Sequence, residues 1–157
     1  MIRAFVMDVD GTMTDGKIYM SASGEAMKAF NIKDGYGIHE MLPAHGVVTV
    51  IMTGRESKIV ENRAKELSID IVMQGIKDKK EALLGLAQNK GWSLAEIAFI
   101  GDDVMDLPAM EICGISGCPK DAALKVKKYV NHITESVGGA GAIREFIEWL
   151  IRKGYIE

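Results

Sequence analysis

Asp8 and Asp10 are the residues in this chain whose types and spacing most directly suggest chemistry. They close an apolar run, Ile2 to Met7, within the stretch Val6-Met7-Asp8-Val9-Asp10-Gly11-Thr12. Such a run reads as a buried strand, and residues two apart on a strand point the same way. The two carboxylates would then share one pocket while Met7 and Val9 face into packing. Acids held side by side repel, so they need a bound cation, a shared proton, or both. Read alone, Asp-x-Asp-Gly could equally be an acidic turn that closes the strand.

Three further groups decide between these readings. Thr53-Gly54-Arg55 follows a β-branched run, Val47 to Met52. Gly101-Asp102-Asp103, with Asp106 close behind, follows Ile97 to Ile100. Lys79 opens an amphipathic segment. Each alone has a plain structural reading: a strand-to-helix turn, a capped turn, and a solvated face shared with Lys77 and Lys80. Asp8/Asp10, Thr53-Gly54 and Asp102/Asp103 all fall at the carboxyl ends of separate strands, where open α/β sheets bind ligands. Four or more carboxylates at one edge require a cation. Oxygen ligands without histidine favour a hard ion, and Mg²⁺ binds one or two carboxylates plus waters and substrate phosphate. The Thr53 hydroxyl and Gly54 N–H suit an anion near a helix start, and Lys79 adds positive charge. The reaction that uses all of these is phosphoryl transfer to a carboxylate. One Asp attacks phosphorus, water hydrolyses the aspartyl-phosphate, and a second Asp gives and then takes the proton. These residues leave open which of Asp8 and Asp10 does which.

The elements that must position these groups follow from periodicity. Strands are expected at 2–7, 47–52, 69–73, 97–100, 113–116 and 129–130. Helices are expected at about 34–45 with Asp34 as N-cap, 57–67, 79–90, 105–112, 121–126 and 142–152, with a short turn capped by Ser93. Residues 14–33 instead carry two short alternating runs around Ser21-Ala22-Ser23-Gly24-Glu25, a hairpin signature. Alternating strands and helices predict a Rossmann-like α/β fold, a parallel sheet with helices on both faces and a β-hairpin insertion. The 157 residues suit one domain.

Composition excludes several classes. A formal net charge of −3 gives no basic footprint for nucleic acid. No apolar run reaches the roughly 20 residues that span a membrane, and the N-terminus enters a strand directly rather than a signal peptide, so the expectation is a cytoplasmic protein. Cys113 and Cys118 lack a ligand cluster and read as ordinary thiols. No Gly-x-x-x-x-Gly-Lys-Ser/Thr occurs, and Gly139 to Arg144 does not fit Gly-x-Gly-x-x-Gly. His39, His45 and His132 are expected away from the acidic edge.

Asp8-Val9-Asp10-Gly11-Thr12, Thr53, Lys79 and Gly101-Asp102-Asp103 resemble, in order, the four motifs of the haloacid dehalogenase-like phosphatases. Asp8 to Gly16, the Gly24-Glu25 turn, Lys28, Phe30, Asp34 to Ile38, Thr53 to Arg55 and Gly138 to Glu145 resemble the subgroup acting on 3-deoxy-D-manno-octulosonate 8-phosphate. The resemblance implies that Asp8 is the nucleophile and Asp10 the acid/base. It implies Mg²⁺ on Asp8, the Asp10 carbonyl and Asp102, with Asp103 in support, and phosphate on Thr53, Gly54 and Lys79. It also implies a homotetramer without a cap domain, hairpins joined in a central barrel and a C-terminal Arg reaching a neighbour's site, for which Arg144 is the candidate. Relatives acting on nine-carbon 9-phosphates carry Glu where this chain has Arg55, and some carry Lys where it has Glu66. Arg55, with Arg63 and Arg144, is therefore expected to set specificity, leaning to the eight-carbon substrate of lipopolysaccharide biosynthesis. The alternatives are a nine-carbon substrate or a non-catalytic oligomerisation module of a cytidylyltransferase system.

Overall fold

The computed structural model describes residues 1–157. Six strands form one parallel sheet: β1 (Ala4–Met7), β4 (Val48–Met52), β5 (Ile71–Met73), β6 (Ile97–Ile100), β7 (Ile115–Cys118) and β8 (His132–Ile133). Their spatial order is β5-β4-β1-β6-β7-β8. The chain steps outward from β1 through β4 to β5, then returns to build the other half from β6. The strands flanking this reversal therefore end around a common crevice, the place where doubly wound sheets hold ligands.

The central strands are apolar because they are covered on both faces. Phe5, Met7, Ile51, Ala98 and Ile100 join one core, with Ile38, Leu42, Val60, Ile143, Phe146 and Ile147. Ala4, Val6, Val50, Ile97 and Phe99 join the other, with Leu83, Leu86, Ala109 and Val126. The first face is covered by α1 (Ile32–Tyr36), its continuation through a wide turn into α2 (Leu42–Ala44), α3 (Lys58–Glu66) and α7 (Ala142–Arg152). The second is covered by α4 (Lys79–Lys90), α5 (Leu107–Met110) and α6 (Leu124–Lys127). A separate antiparallel hairpin, β2 (Tyr19–Ser21) and β3 (Gly24–Met27), is the expected insertion.

Several boundaries differ from the sequence reading. Asn31, not Asp34, caps α1, accepting from the Lys33 and Asp34 N–H groups. Asp34 lies inside that helix, buried, and its carboxylate accepts from the Gly141 and Arg144 N–H groups. It therefore caps α7, a distant helix whose own preceding residue is glycine. The last strand is His132–Ile133, not 129–130: Tyr129 closes a turn onto the Val126 carbonyl, and the Asn131 side chain accepts from the Ser116 N–H beforehand. β7 begins two residues later than expected, after Gly114 bonds the Ile97 carbonyl. The hairpin turn shortens to Ala22-Ser23. Helices α5 and α6 each shrink to four residues.

Candidate active site

The polar groups past β1, β4 and β6 meet in one cleft of about 250 Å³. Asp8, Asp10, Thr53, Gly54, Lys79 and Asp102 line it, and Arg55, Asp103 and Met105 stand at its exposed rim. Asp8 extends the ladder, its N–H donating to the Ile100 carbonyl at 3.1 Å. The backbone then leaves the extended region, and Gly11 adopts φ +90°, a conformation glycine permits. A side chain there would also overlap the Asp102 carboxylate, whose Cγ lies 2.6 Å from an ideal Cβ. Glycine thus lets the first loop reach the third. That loop is braced from behind, where Gly138 and Gly139 press against Gly11, Thr14 and Asp15, and the Gly139 N–H donates to the Thr12 carbonyl. The Thr14 hydroxyl accepts from the Gly11 and Gly16 N–H groups within it.

Lys79 arrives from the first residue of α4, which Asp78 caps by accepting from the Glu81 N–H. Its ammonium is buried between Asp8 Oδ1 at 2.8 Å and Asp106 Oδ1 at 2.5 Å. Burial works against that charge, but the two carboxylates override it and hold the lysine above its usual range. The Asp106 Oδ2 accepts from the Asp102 and Asp103 N–H groups at 3.0 and 3.2 Å. Asp106 thus shapes the Asp102 loop and fixes Lys79. The sequence reading had noted it only as a nearby acid.

Carboxyl oxygens of Asp8, Asp102 and Asp106 come within 4.8 Å of one another. Burial and the neighbouring Asp106 charge push Asp8 up to about 6, against the pull of Lys79. Burial and the charges of Asp8 and Asp106 push Asp102 up to about 8. Fully ionised, the three carboxylates against one ammonium would carry two negative charges, which a divalent cation would neutralise. The oxygen-only donor set suits a hard ion such as Mg²⁺. Asp106 has both oxygens engaged by Lys79 and backbone, so Asp8 and Asp102 are the carboxylates with capacity left for the ion.

Asp10 takes a different partner. Its Oδ1 accepts from Lys28 Nζ at 2.6 Å, and the same ammonium lies 2.7 Å from Glu25 Oε1. Two acids two residues apart are therefore drawn to two lysines, one from α4 and one from the base of the hairpin. Lys28 was legible only as part of a resemblance; nothing in its local spacing pointed to Asp10.

The other expected residues lie outside the cleft of their own chain. Arg63 pairs with Glu66 at 2.9 Å and stacks over Phe30, with a guanidinium nitrogen beside Gly35. Arg144 pairs with Glu148 at 2.6 Å and lies over the Tyr36 ring. Cys113 and Cys118 are free, and burial pushes their thiols up to about 12 and 11. His132 stacks on Trp149 with ring centroids 4.4 Å apart, away from the acidic edge.

A parallel sheet with paired aspartates past β1, a threonine past β4, a lysine opening α4 and acids past β6 is a defined constellation. Residues 63–147 match a profile of the haloacid dehalogenase-like hydrolases, and the chain belongs to that family. Among its relatives, the 3-deoxy-D-manno-octulosonate 8-phosphate phosphatase KdsC of Haemophilus influenzae is 36% identical over 96% of this chain and 83% of that protein. KdsC of Escherichia coli K12 is 39% identical over 96% and 79%. Among solved structures, the phosphatase from Moraxella catarrhalis with magnesium, phosphate and KDO superposes with a TM-score of 0.92 at 39% identity, covering 96% of this chain and 86% of that one. The cobalt-bound form from H. influenzae also gives 0.92, at 37% identity over 96% and 88%.

Proposed function

We propose that this protein is a Mg²⁺-dependent phosphoric monoester hydrolase that converts 3-deoxy-D-manno-octulosonate 8-phosphate to the free sugar acid and phosphate. The observation that carries this reading is the joint burial of Asp8 against Lys79 in a cleft that also holds Asp102, Thr53 and Gly54. The relatives named above act on this substrate by name, and one was solved with magnesium, phosphate and the sugar acid.

In this reading Asp8, Asp102 and the Asp10 carbonyl hold Mg²⁺, with Asp103 in support. Bound there, the ion neutralises the charge between nucleophile and phosphate. Thr53, Gly54 and Lys79 hold the phosphate oxygens. An Asp8 carboxylate oxygen attacks phosphorus, the bond to the sugar oxygen breaks, and Asp10 gives that oxygen a proton. Asp10 then takes a proton from water as the water oxygen attacks phosphorus and releases Asp8. Arg55 at the rim would meet the sugar acid.

The reading extends to a single-domain subunit of a homotetramer in the cytoplasm. Met20 and Met27 stand exposed on the hairpin and support its use as a subunit contact. Arg144, set apart from its own cleft, would then serve a neighbour's. Two free thiols fit a reducing compartment.

The test is phosphate release from eight- and nine-carbon keto-deoxy acid phosphates, with Mg²⁺ and with EDTA. Metal-dependent turnover highest on the eight-carbon ester is expected. Preference for the nine-carbon ester would move the substrate assignment, and a flat, metal-independent baseline on both would overturn the phosphatase reading.

A further inference from the structure

Asp10 must hold one direction through two opposite proton transfers, and the structure contains a device for that. Lys28 follows β3 directly, and its side chain is only 2% exposed. It does not line the cleft. Its ammonium also lies 2.7 Å from Glu25 Oε1, and the second Glu25 oxygen accepts from the Ser57 hydroxyl at 2.6 Å. Ser57 is in turn tied to Gln74, which accepts from its N–H at 2.9 Å. Lys28 is thus anchored both to the hairpin and to the entrance of α3, and its remaining reach goes to Asp10 Oδ1.

We propose that Lys28 is a positioning residue for the proposed phosphatase reaction: it grips one oxygen of Asp10 so that the other oxygen faces the reacting bond. The proposal rests on the phosphatase reading above. The ammonium donates to Oδ1 at 2.6 Å, which leaves Oδ2 as the oxygen without that partner. Oδ2 is therefore the oxygen that gives and takes the proton in the proposed reaction. In the first step the Asp8–phosphorus bond forms, the phosphorus–sugar oxygen bond breaks, and the Oδ2 proton passes to that oxygen. In the second step Oδ2 takes a proton back from the attacking water. Lys28 itself exchanges no proton with substrate. Because it belongs to the hairpin base, the hairpin holds the acid/base as well as offering a subunit contact.

A purely structural pair and a positioning pair differ in their dependence on the leaving group. A primary alcohol needs a proton to leave, whereas p-nitrophenolate does not. The parameter to compare is kcat/KM, because it reports steps up to departure of the leaving group and is blind to the later attack by water. In Lys28→Met, kcat/KM for 3-deoxy-D-manno-octulosonate 8-phosphate should fall about 10²-fold, and for p-nitrophenyl phosphate by no more than about threefold, within the span of general acid catalysis. Equal losses on both esters, or no loss on either, would overturn the proposal while leaving the phosphatase reading intact. A wild-type protein that hydrolyses neither ester with Mg²⁺ would overturn both. If Lys28→Met does not fold, Glu25→Gln loosens the opposite anchor and should lower the same alkyl-to-aryl ratio several-fold; an unchanged ratio there also overturns the proposal.

Discussion

Gly138→Ala should damage the active site without changing any of its polar side chains. A Cβ built on Gly138 presses into the Gly11 carbonyl oxygen, 2.7 Å from the carbonyl carbon and 2.9 Å from the Thr14 carbonyl oxygen. Ordinary contact begins near 3.4 Å, so the Asp10–Thr14 loop must retreat by about 0.7 Å from that carbon alone. All of these atoms are backbone, so no side chain can rotate aside. Overpacking of this kind costs about 1–3 kcal/mol, and at this chain length each kcal/mol lowers the melting temperature by about 2–4 °C. A displacement approaching 1 Å near the reacting atoms can cost about 10²-fold in turnover. The assay is phosphate release with Mg²⁺ alongside a thermal melt. Gly85→Ala supplies the control, because Gly85 lies inside α4 with nothing within 4 Å of an added Cβ. It should raise stability by about 0.5–1 kcal/mol and leave turnover alone. Wild-type turnover and melting in Gly138→Ala would refute the idea that this glycine pair braces the loop.

Asp8→Asn should reduce turnover at least about 10³-fold, as loss of a nucleophile does, with the circular dichroism spectrum unchanged; near-wild-type rates would exclude Asp8 from attack on phosphorus. Mg²⁺ at about 100 times its dissociation constant should stabilise the protein by about 2.7 kcal/mol over EDTA, read as a rise in melting temperature that Asp102→Asn largely removes. Asp34→Ala should cost about 0.5–2 kcal/mol, the usual value of a helix cap, and should expose the first amides of α7 to faster hydrogen exchange; unchanged protection there would contradict the remote cap. Burial opposes the charge of Glu145, but the Glu135 and Ser136 N–H groups override it and hold the carboxyl below its usual range. Its stabilising contribution is therefore complete above the ordinary carboxylate range and is lost as pH falls through the depressed value. Glu145→Gln should lower the melting temperature at pH 7, and the gap should shrink as pH falls below the ordinary carboxylate range; a gap that stays constant down a pH series would dismiss the ionised contact.

The sheet and the cleft were legible because they rest on local signals that tertiary structure does not overrule. Val48–Met52 and Ile97–Ile100 are too apolar and too β-branched or aromatic to be anything but covered strands. Once those strands are parallel, the polar residues after them must share an edge. What escaped the sequence reading depends on partners far along the chain. Asp34 looks like an N-cap by position, yet Asn31 stands three residues earlier and its side-chain amide oxygen does that work. The short α6 starts after a tertiary hydrogen bond from the Ala123 N–H to the Asp102 carbonyl, and the short α5 after a local turn in which the Asp102 and Asp103 N–H groups donate to Asp106; hydrophobic periodicity encodes neither. Lys28 reads as one more hairpin charge until the fold brings it to Asp10.

The grip of Asp34 on α7 also has a meaning in time. Its partner Gly141 lies 107 positions further along the chain. At about 5–20 residues per second, a ribosome needs roughly 5–20 s to deliver that segment. Through that interval the nascent chain carries a carboxylate destined for the interior with nothing to receive it. The N-terminal half can collapse early, but it cannot seal until the last helix emerges.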